Sequence, residues 1–304
     1  MKTVYYKVGG HVFSVSGGEE FLALMENYAP FRYDNVATDN ERAFALTIGG
    51  SEVPLYSEEL RQEEEGQEIV CGKTADGKAV FEFRWWNEIA GWLVCSPDYR
   101  EGRLLTTGRY TKMAVDNALM VLYALATAAA GTVLFHAAVV SHEGKGYMFL
   151  GPSGTGKSTH ARLWLKYIAG TALVNDDNPV VRIADDGSPI VYGSPWSGKT
   201  PCYRNVSYPL GGIVLLSQAP YNKIHRLGGI HAYASLVASI SGKRWDSRVA
   251  DGLHATENAL ASTMPVWHLE CLPDEEAAKL CSLNIHGRPN GLKIEQNLLD
   301  NQSK

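Results

Sequence analysis

Long apolar runs are nearly missing from this chain. The best candidate, Met113 to Ala130 (MAVDNALMVLYALATAAA), is interrupted by Asp116 and Asn117, which leaves thirteen residues without a break. A bilayer needs about 20, so the stretch reads as a buried helix closed by Gly131 at its C-terminus, and no membrane partner is expected. Cysteine is also sparse. The five residues Cys71, Cys95, Cys202, Cys271 and Cys281 are scattered and odd in number, with no CxxC pair and no Cys/His ligand spacing. That pattern excludes a disulfide scaffold or zinc ribbon and reads as reduced, packed thiols in a cytoplasmic protein. His225, His231, His254 and His268 likewise lack ligand-like spacing, and no metal is assigned to them. Charge of one sign is not in large excess. Twenty-eight Lys and Arg against thirty-three Asp and Glu give a formal net charge of −5, which argues against a general nucleic-acid binder. No internal repeat or low-complexity tract stands out, and the N-terminus, Met1-Lys-Thr-Val-Tyr-Tyr, reads as a strand rather than a signal peptide.

What is present is an ordinary globular composition, 45% hydrophobic and 20% charged over 304 residues, long enough for two domains. Within it, Gly151-Pro-Ser153-Gly154-Thr155-Gly156-Lys157-Ser158-Thr159 matches a full phosphate-binding loop. An apolar run, Tyr147 to Leu150, leads in, and a helical pattern, Thr159 to Ile168, leads out. A strand, a glycine loop and a helix start aim several unpaired backbone N–H groups at one point, where polyphosphate fits. In that pattern Lys157 reaches the β- and γ-phosphates and the Ser158 hydroxyl holds Mg²⁺.

Two flanking features refine this. Thr132 to Val140 reads as a strand that carries His136. A polar turn, Ser141 to Gly146, then joins it antiparallel to the strand entering the loop. His136 is thereby either a packed strand histidine or a group that approaches the phosphate site across the hairpin. After the helix, Thr171-Ala-Leu-Val-Asn175-Asp176-Asp177-Asn178-Pro179 reads as a strand ending in paired carboxylates. One can hold Mg²⁺ and the other accept a proton from an attacking hydroxyl. Side chains alternate along a strand, so both serve one site only if the strand ends or bends there, as Pro179 suggests.

His136, the hairpin, GPSGTGKST and LVNDD together resemble the HPr kinase/phosphorylase catalytic domain, whose wider group shares a nucleotide-binding architecture with phosphoenolpyruvate carboxykinases. Gly193-Ser-Pro-Trp-Ser-Gly-Lys199 resembles the GTPWSGK element of small HPr-kinase-like bacterial proteins. The resemblance spans roughly residues 132 to 215, with a weaker echo to about 285. It implies an α/β, P-loop catalytic domain of that fold, with His136, Lys157, Ser158, Asp176 and Asp177 in the active site. The chain departs from true HPr kinase: the glycine-rich signature after the Asp pair is missing, and the N-terminal part is unlike that enzyme's. These departures bear on HPr as substrate and on the phosphorylase half-reaction.

Gly193 to Thr200 also satisfies the phosphate-loop pattern. Pro195 and Trp196 stand where close backbone approach is needed, and Pro201 and Pro209 follow, so no helix starts there and no second nucleotide site is expected. Lys199 can still supply a cation near the transferred phosphoryl group, with Arg204 as a second candidate. Residues 1–108 read as a β-rich domain. Hairpin signals lie around Gly9-Gly10 and Ala75-Asp-Gly, a short helix at Glu19–Glu26, a solvated acidic run at Glu58–Glu68, and Trp85, Trp86 and Trp92 in its packing. Residues 109–286 form the catalytic domain, and 287–304 a polar tail. The expected activity is ATP- and Mg²⁺-dependent transfer of the γ-phosphoryl group to a hydroxyl of a protein, peptide or small metabolite, and a homo-oligomer would fit the group. Two alternatives stand beside it: a carboxykinase-like enzyme and a non-catalytic nucleotide-dependent binder.

Overall fold

The computed structural model describes residues 1–198 and 200–286; Lys199 and the tail 287–304 lie outside the described residues. β-Branched and aromatic residues alternating between turn glycines give the first hundred residues nine strands. These are β1 (Lys2–Val8), β2 (His11–Gly17), β3 (Arg32–Tyr33), β4 (Arg42–Ile48), β5 (Ser57–Glu64), β6 (Gln67–Lys73), β7 (Ala79–Trp85), β8 (Glu88–Cys95) and β9 (Glu101–Thr106). They build one mixed sheet in the order β3-β1-β2-β4-β9-β8-β7-β6-β5. The expected Gly9-Gly10 hairpin pairs Val8 with His11. The helix expected at Glu19–Glu26 is shorter, α1 (Glu19–Leu22), and a 3₁₀ turn follows at Glu26–Phe31.

Helix α2 (Thr111–Thr127) follows this sheet. By length and apolar content the stretch Thr111–Ala130 could cross a membrane. In the structure its Ala114, Val115, Ala118, Leu119, Leu122 and Tyr123 are buried in a core shared by both halves of the chain. Gly131 ends the stretch in the left-handed conformation, φ +66°, that a residue with Cβ resists. Asp116, which breaks the apolar pattern, serves packing. It accepts from Asn27 Nδ2 at 3.1 Å and from Lys112 Nζ at 2.8 Å.

The second half forms another nine-stranded mixed sheet: β10 (Thr132–Leu134), β11 (Ala137–His142), β12 (Lys145–Leu150), β13 (Ala172–Asp177), β14 (Val180–Ile183), β15 (Pro189–Tyr192), β16 (Ser207–Gln218), β17 (Lys223–Leu227) and β18 (Val266–Cys271). The helices α3 (Lys157–Tyr167), α4 (Gly229–Val237), α5 (Ser247–Thr263) and α6 (Glu275–Ile285) complete it. The main path runs β10-β14-β15-β16-β12-β11-β13, with β18 also beside β16 and β17 outside β18. One face joins the core shared with the first sheet and α2. The other is covered by α3 and α6, with Val140, Tyr147, Phe149, Trp164, Leu269 and Cys281 between them. Full burial of a side chain as large as Trp164 contributes about 3 kcal/mol. The chain is thus mixed α/β with two large mixed sheets.

The single strand expected through His136 is corrected. β10 pairs with β14, whereas β11 pairs with β12 and β13, so the chain changes partners at Phe135–His136. Phe135 bridges Ile240, and the His136 N–H donates to Ser239 O at 2.7 Å, which holds the break open.

Candidate functional site

Strand β12 delivers the glycine loop and α3 leaves it. The antiparallel β11–β12 hairpin is as the sequence indicates, with Ala138 opposite Phe149. Gly156 caps α3 at φ +104°, a conformation that favours glycine, and no side chain caps the helix. Its first amides therefore point out of the loop undressed, with the positive end of the helix dipole behind them. Ser153 and Gly154 are exposed; Thr155, Ser158 and Thr159 are half-buried. Gly151 lies against Leu216 O and the Thr155 side chain, where a Cβ would collide. Gln218 Nε2 donates to Gly154 O at 3.1 Å and ties the loop to the end of β16. Lys157 is buried, and its Nζ donates to Gly151 O at 2.8 Å and Pro152 O at 3.1 Å. Burial lowers its pKa; the carboxylates of Asp177, Glu64 and Asp176 pull the other way.

The paired carboxylates arrive on β13. The strand ends at Asp177, whose φ of +152° lies in a region that side chains rarely adopt. A strained backbone held in place by its surroundings is a recurrent property of working sites. The strand end that both carboxylates need is therefore present. Asp176 is buried and Asp177 about 35% exposed. Asp177 Oδ1 lies 3.8 Å from His136 Nδ1, and Asn178 Nδ2 donates to Asp177 Oδ2 at 2.8 Å. Burial raises the Asp177 pKa. His136 and Lys157 lower it, while Glu64 and Asp176 add to the rise.

The Gly193–Gly198 segment lies directly against this pair. Gly198 N donates to Asp176 O at 2.7 Å, and Ser197 bridges Asp177. A side chain at Gly198 would meet Asp176 O at 3.1 Å and Asp177 Cγ at 3.3 Å, so a larger residue there would have to push this segment off the strand by a few tenths of an ångström. Residues 201–206 are irregular, in keeping with a loop that opens no helix. Trp196 is an anchor. Its ring is buried beside Tyr123, its Nε1 donates to Tyr28 OH at 2.9 Å, and Asn27 Nδ2 donates to Pro195 O at 3.0 Å. Asn175, the first residue of the Asn-Asp-Asp run, is fully buried and donates to Ser194 Oγ and Trp196 O, each at 3.1 Å. Its Oδ1 has no partner.

The structure thus brings together Lys157, His136, Asp176 and Asp177. Lys199 lies outside the described residues. Arg204 turns away: its guanidinium donates to the Leu173 carbonyl, and this corrects its reading as a second cation for the site. Two further readings change. Trp86 is exposed at the β7–β8 turn, where its backbone N–H donates to Gly66 O at 2.6 Å, while Trp92 is buried with Nε1 on Glu82 at 2.7 Å. Glu64, at the tip of the acidic β5–β6 hairpin, acts electrostatically on both Lys157 and Asp177. The sequence marks that run as acidic and solvated, and β5 is exposed along its whole length. Nothing local shows that the charge at its tip acts on Lys157 and Asp177.

The family model for the SynChlorMet cassette protein ScmC matches residues 106–269, more than half of the chain. The chain belongs to the ScmC family. The matched region contains α2, the glycine loop, the Asp pair and the Trp196 segment, and it ends on β18. No curated protein matches the chain.

Proposed function

We propose that this ScmC-family chain is an HPr-kinase-like phosphotransferase, which moves the γ-phosphoryl group of ATP to a hydroxyl with Mg²⁺. The convergence of Lys157, Asp176, Asp177 and His136 at the mouth of an uncapped helix carries the reading. Lys157 donates to the loop's own carbonyls, contacts that an incoming phosphate can replace. Carboxylates and a hydroxyl are hard oxygen donors that suit Mg²⁺.

In this reading the amides from Gly154 to Lys157 cradle the β- and γ-phosphates. Lys157 offsets negative charge that grows as the bond to the leaving oxygen breaks. Ser158 and Asp176 or Asp177 would hold Mg²⁺, which supplies charge neutralisation across the phosphates. The other aspartate takes the proton of the acceptor hydroxyl as its oxygen bonds to phosphorus and ADP departs. Asp177, with its raised pKa, suits that role, because a raised pKa makes its carboxylate the stronger proton acceptor. His136 orients Asp177. Cytoplasmic location and an acceptor on a peptide, protein or small molecule belong to the same proposal.

The test is calorimetric Mg²⁺–ATP binding by the wild type and Lys157→Ala, with γ-labelled ATP over pooled hydroxyl acceptors in parallel. We expect Lys157→Ala to lose roughly 100-fold or more in transfer. Label that reaches no acceptor, or equal nucleotide affinity in both proteins, would refute the kinase.

A further inference from the structure

Strand β17 is bound to the sheet through β18 alone among the described residues. In that antiparallel pair His225 stands directly opposite His268, and Glu270 lies two residues along β18, on the same face as His268. One donor atom from each of the three side chains falls within 4.8 Å of the others. We propose that His225, His268 and Glu270 form a divalent transition-metal site, with Zn²⁺ the best-matched ion, distinct from the site at Asp176 and Asp177.

The donor set argues for this class of ion. Two borderline imidazole nitrogens beside one carboxylate favour Zn²⁺ and Co²⁺ over Mg²⁺. Three protein ligands on one side, with His225 exposed and the other two half-buried, leave coordination positions open to solvent. Both half-buried ligands are already oriented from behind. Ser217 Oγ lies 2.9 Å from His268 Nε2, and Tyr221 OH donates to Glu270 Oε1 at 3.0 Å. A hydroxyl that accepts the Nε2 proton fixes the tautomer with its lone pair on Nδ1, the arrangement by which outer groups tune a metal-binding histidine. The imidazoles meet edge to face with centroids 5.2 Å apart, so no other side chain separates them.

A bound ion would cross-link the edge strand to the sheet. Ser217, which touches His268, is followed by Gln218, which holds Gly154 of the glycine loop, so one strand end serves both places.

The experiment is equilibrium dialysis of the chelator-treated full chain against Zn²⁺ in excess Mg²⁺, with metal analysis of the protein. Cobalt substitution, read by visible absorption, reports the coordination. We expect about one Zn²⁺ per chain, with affinity lowered roughly tenfold or more in His225→Ala and in Glu270→Gln, and unchanged in Asp177→Asn. Both ligand variants remove partly exposed side chains, and their melting temperatures in chelator should match the wild type. Wild-type protein that takes up no Zn²⁺, or His225→Ala and Glu270→Gln binding it as the wild type does, would overturn the site. Loss of the ion in Asp177→Asn alone would also overturn it.

Discussion

The two sheets bury polar groups in different ways. In the first sheet the buried carboxylates are closed off. Glu82 accepts from Trp92 Nε1 and from Arg84 Nε, and Glu68 pairs with Arg61 at 2.6 Å. In the second half Glu257 is closed off in the same way by Arg244 at 2.7 Å, but other polar groups there are buried with bonding capacity left over. Lys157 holds only backbone carbonyls as hydrogen-bond partners among the described residues, Asn175 Oδ1 and His160 Nδ1 have no partner, and Asp177 sits on a strained backbone. Buried polar atoms are ordinarily satisfied, because leaving one unpaired costs roughly 1–3 kcal/mol. Among the described residues one such atom lies in the first sheet, Arg42 Nε, and five lie in the second half, at His160, Asn175, Arg182, Trp267 and His286.

The sharpest way to break this comparison is Asp177→Asn. Transfer activity should fall by roughly 10²–10⁴-fold, while the ligand-free protein should melt higher at neutral pH. The sign follows from linkage. Burial, Glu64 and Asp176 raise the folded-state pKa of Asp177 above 3.8, so the folded state holds the proton more tightly. Stability then declines as pH rises through the interval above 3.8 and stays lowered beyond it. The asparagine cannot ionise and escapes that loss. Melting temperatures of both proteins across pH check it, and a variant that is no more stable than the wild type would place the strain elsewhere.

A smaller effect concerns His160, buried beneath the glycine loop with Nε2 accepting from Trp164 Nε1 at 3.1 Å. Burial lowers its pKa from 6.5 to about 4. The unfolded chain therefore binds a proton that the folded one refuses. Stability is complete above pH 6.5 and is lost as pH falls to about 4, by an amount on the order of 3 kcal/mol. His11 in the first sheet, lowered to about 4 by burial and by Arg182, makes the same demand. His160→Gln should accordingly remove only part of the acid loss in denaturant unfolding. The smallest effect is expected at the contact between the two halves. Glu64→Gln removes a negative charge that acts on Lys157 and Asp177, and under the proposed function Mg²⁺–ATP affinity should rise roughly threefold at low salt and less at high salt. Titration at two ionic strengths checks it.

What the sequence disclosed was local. The glycine loop, the β11–β12 hairpin, β13 with its paired aspartates and the turn at Gly9-Gly10 are each written in a few consecutive residues. The rest depends on which strand lies beside which. The break at His136 follows from a change of sheet partners, not from any breaker residue. Asn175 looks like a turn residue and is instead the buried tie to Ser194 and Trp196. His225 and His268 become neighbours only when β17 folds back on β18. Trp86 carries the same apolar signal as Trp92, and only the turn geometry leaves it outside.

The wedge of Trp196 between Tyr28 and Tyr123 bears on how separable the two halves are. The region that defines the family begins at residue 106, so the chain invites division there. Tyr28 and Asn27 lie before that border and grip Trp196 and Pro195 after it. A fragment cut at the border would inherit the glycine loop and lose the wall that seats its neighbouring segment. The border along the polypeptide is not a border in space, because the two halves share one packed core.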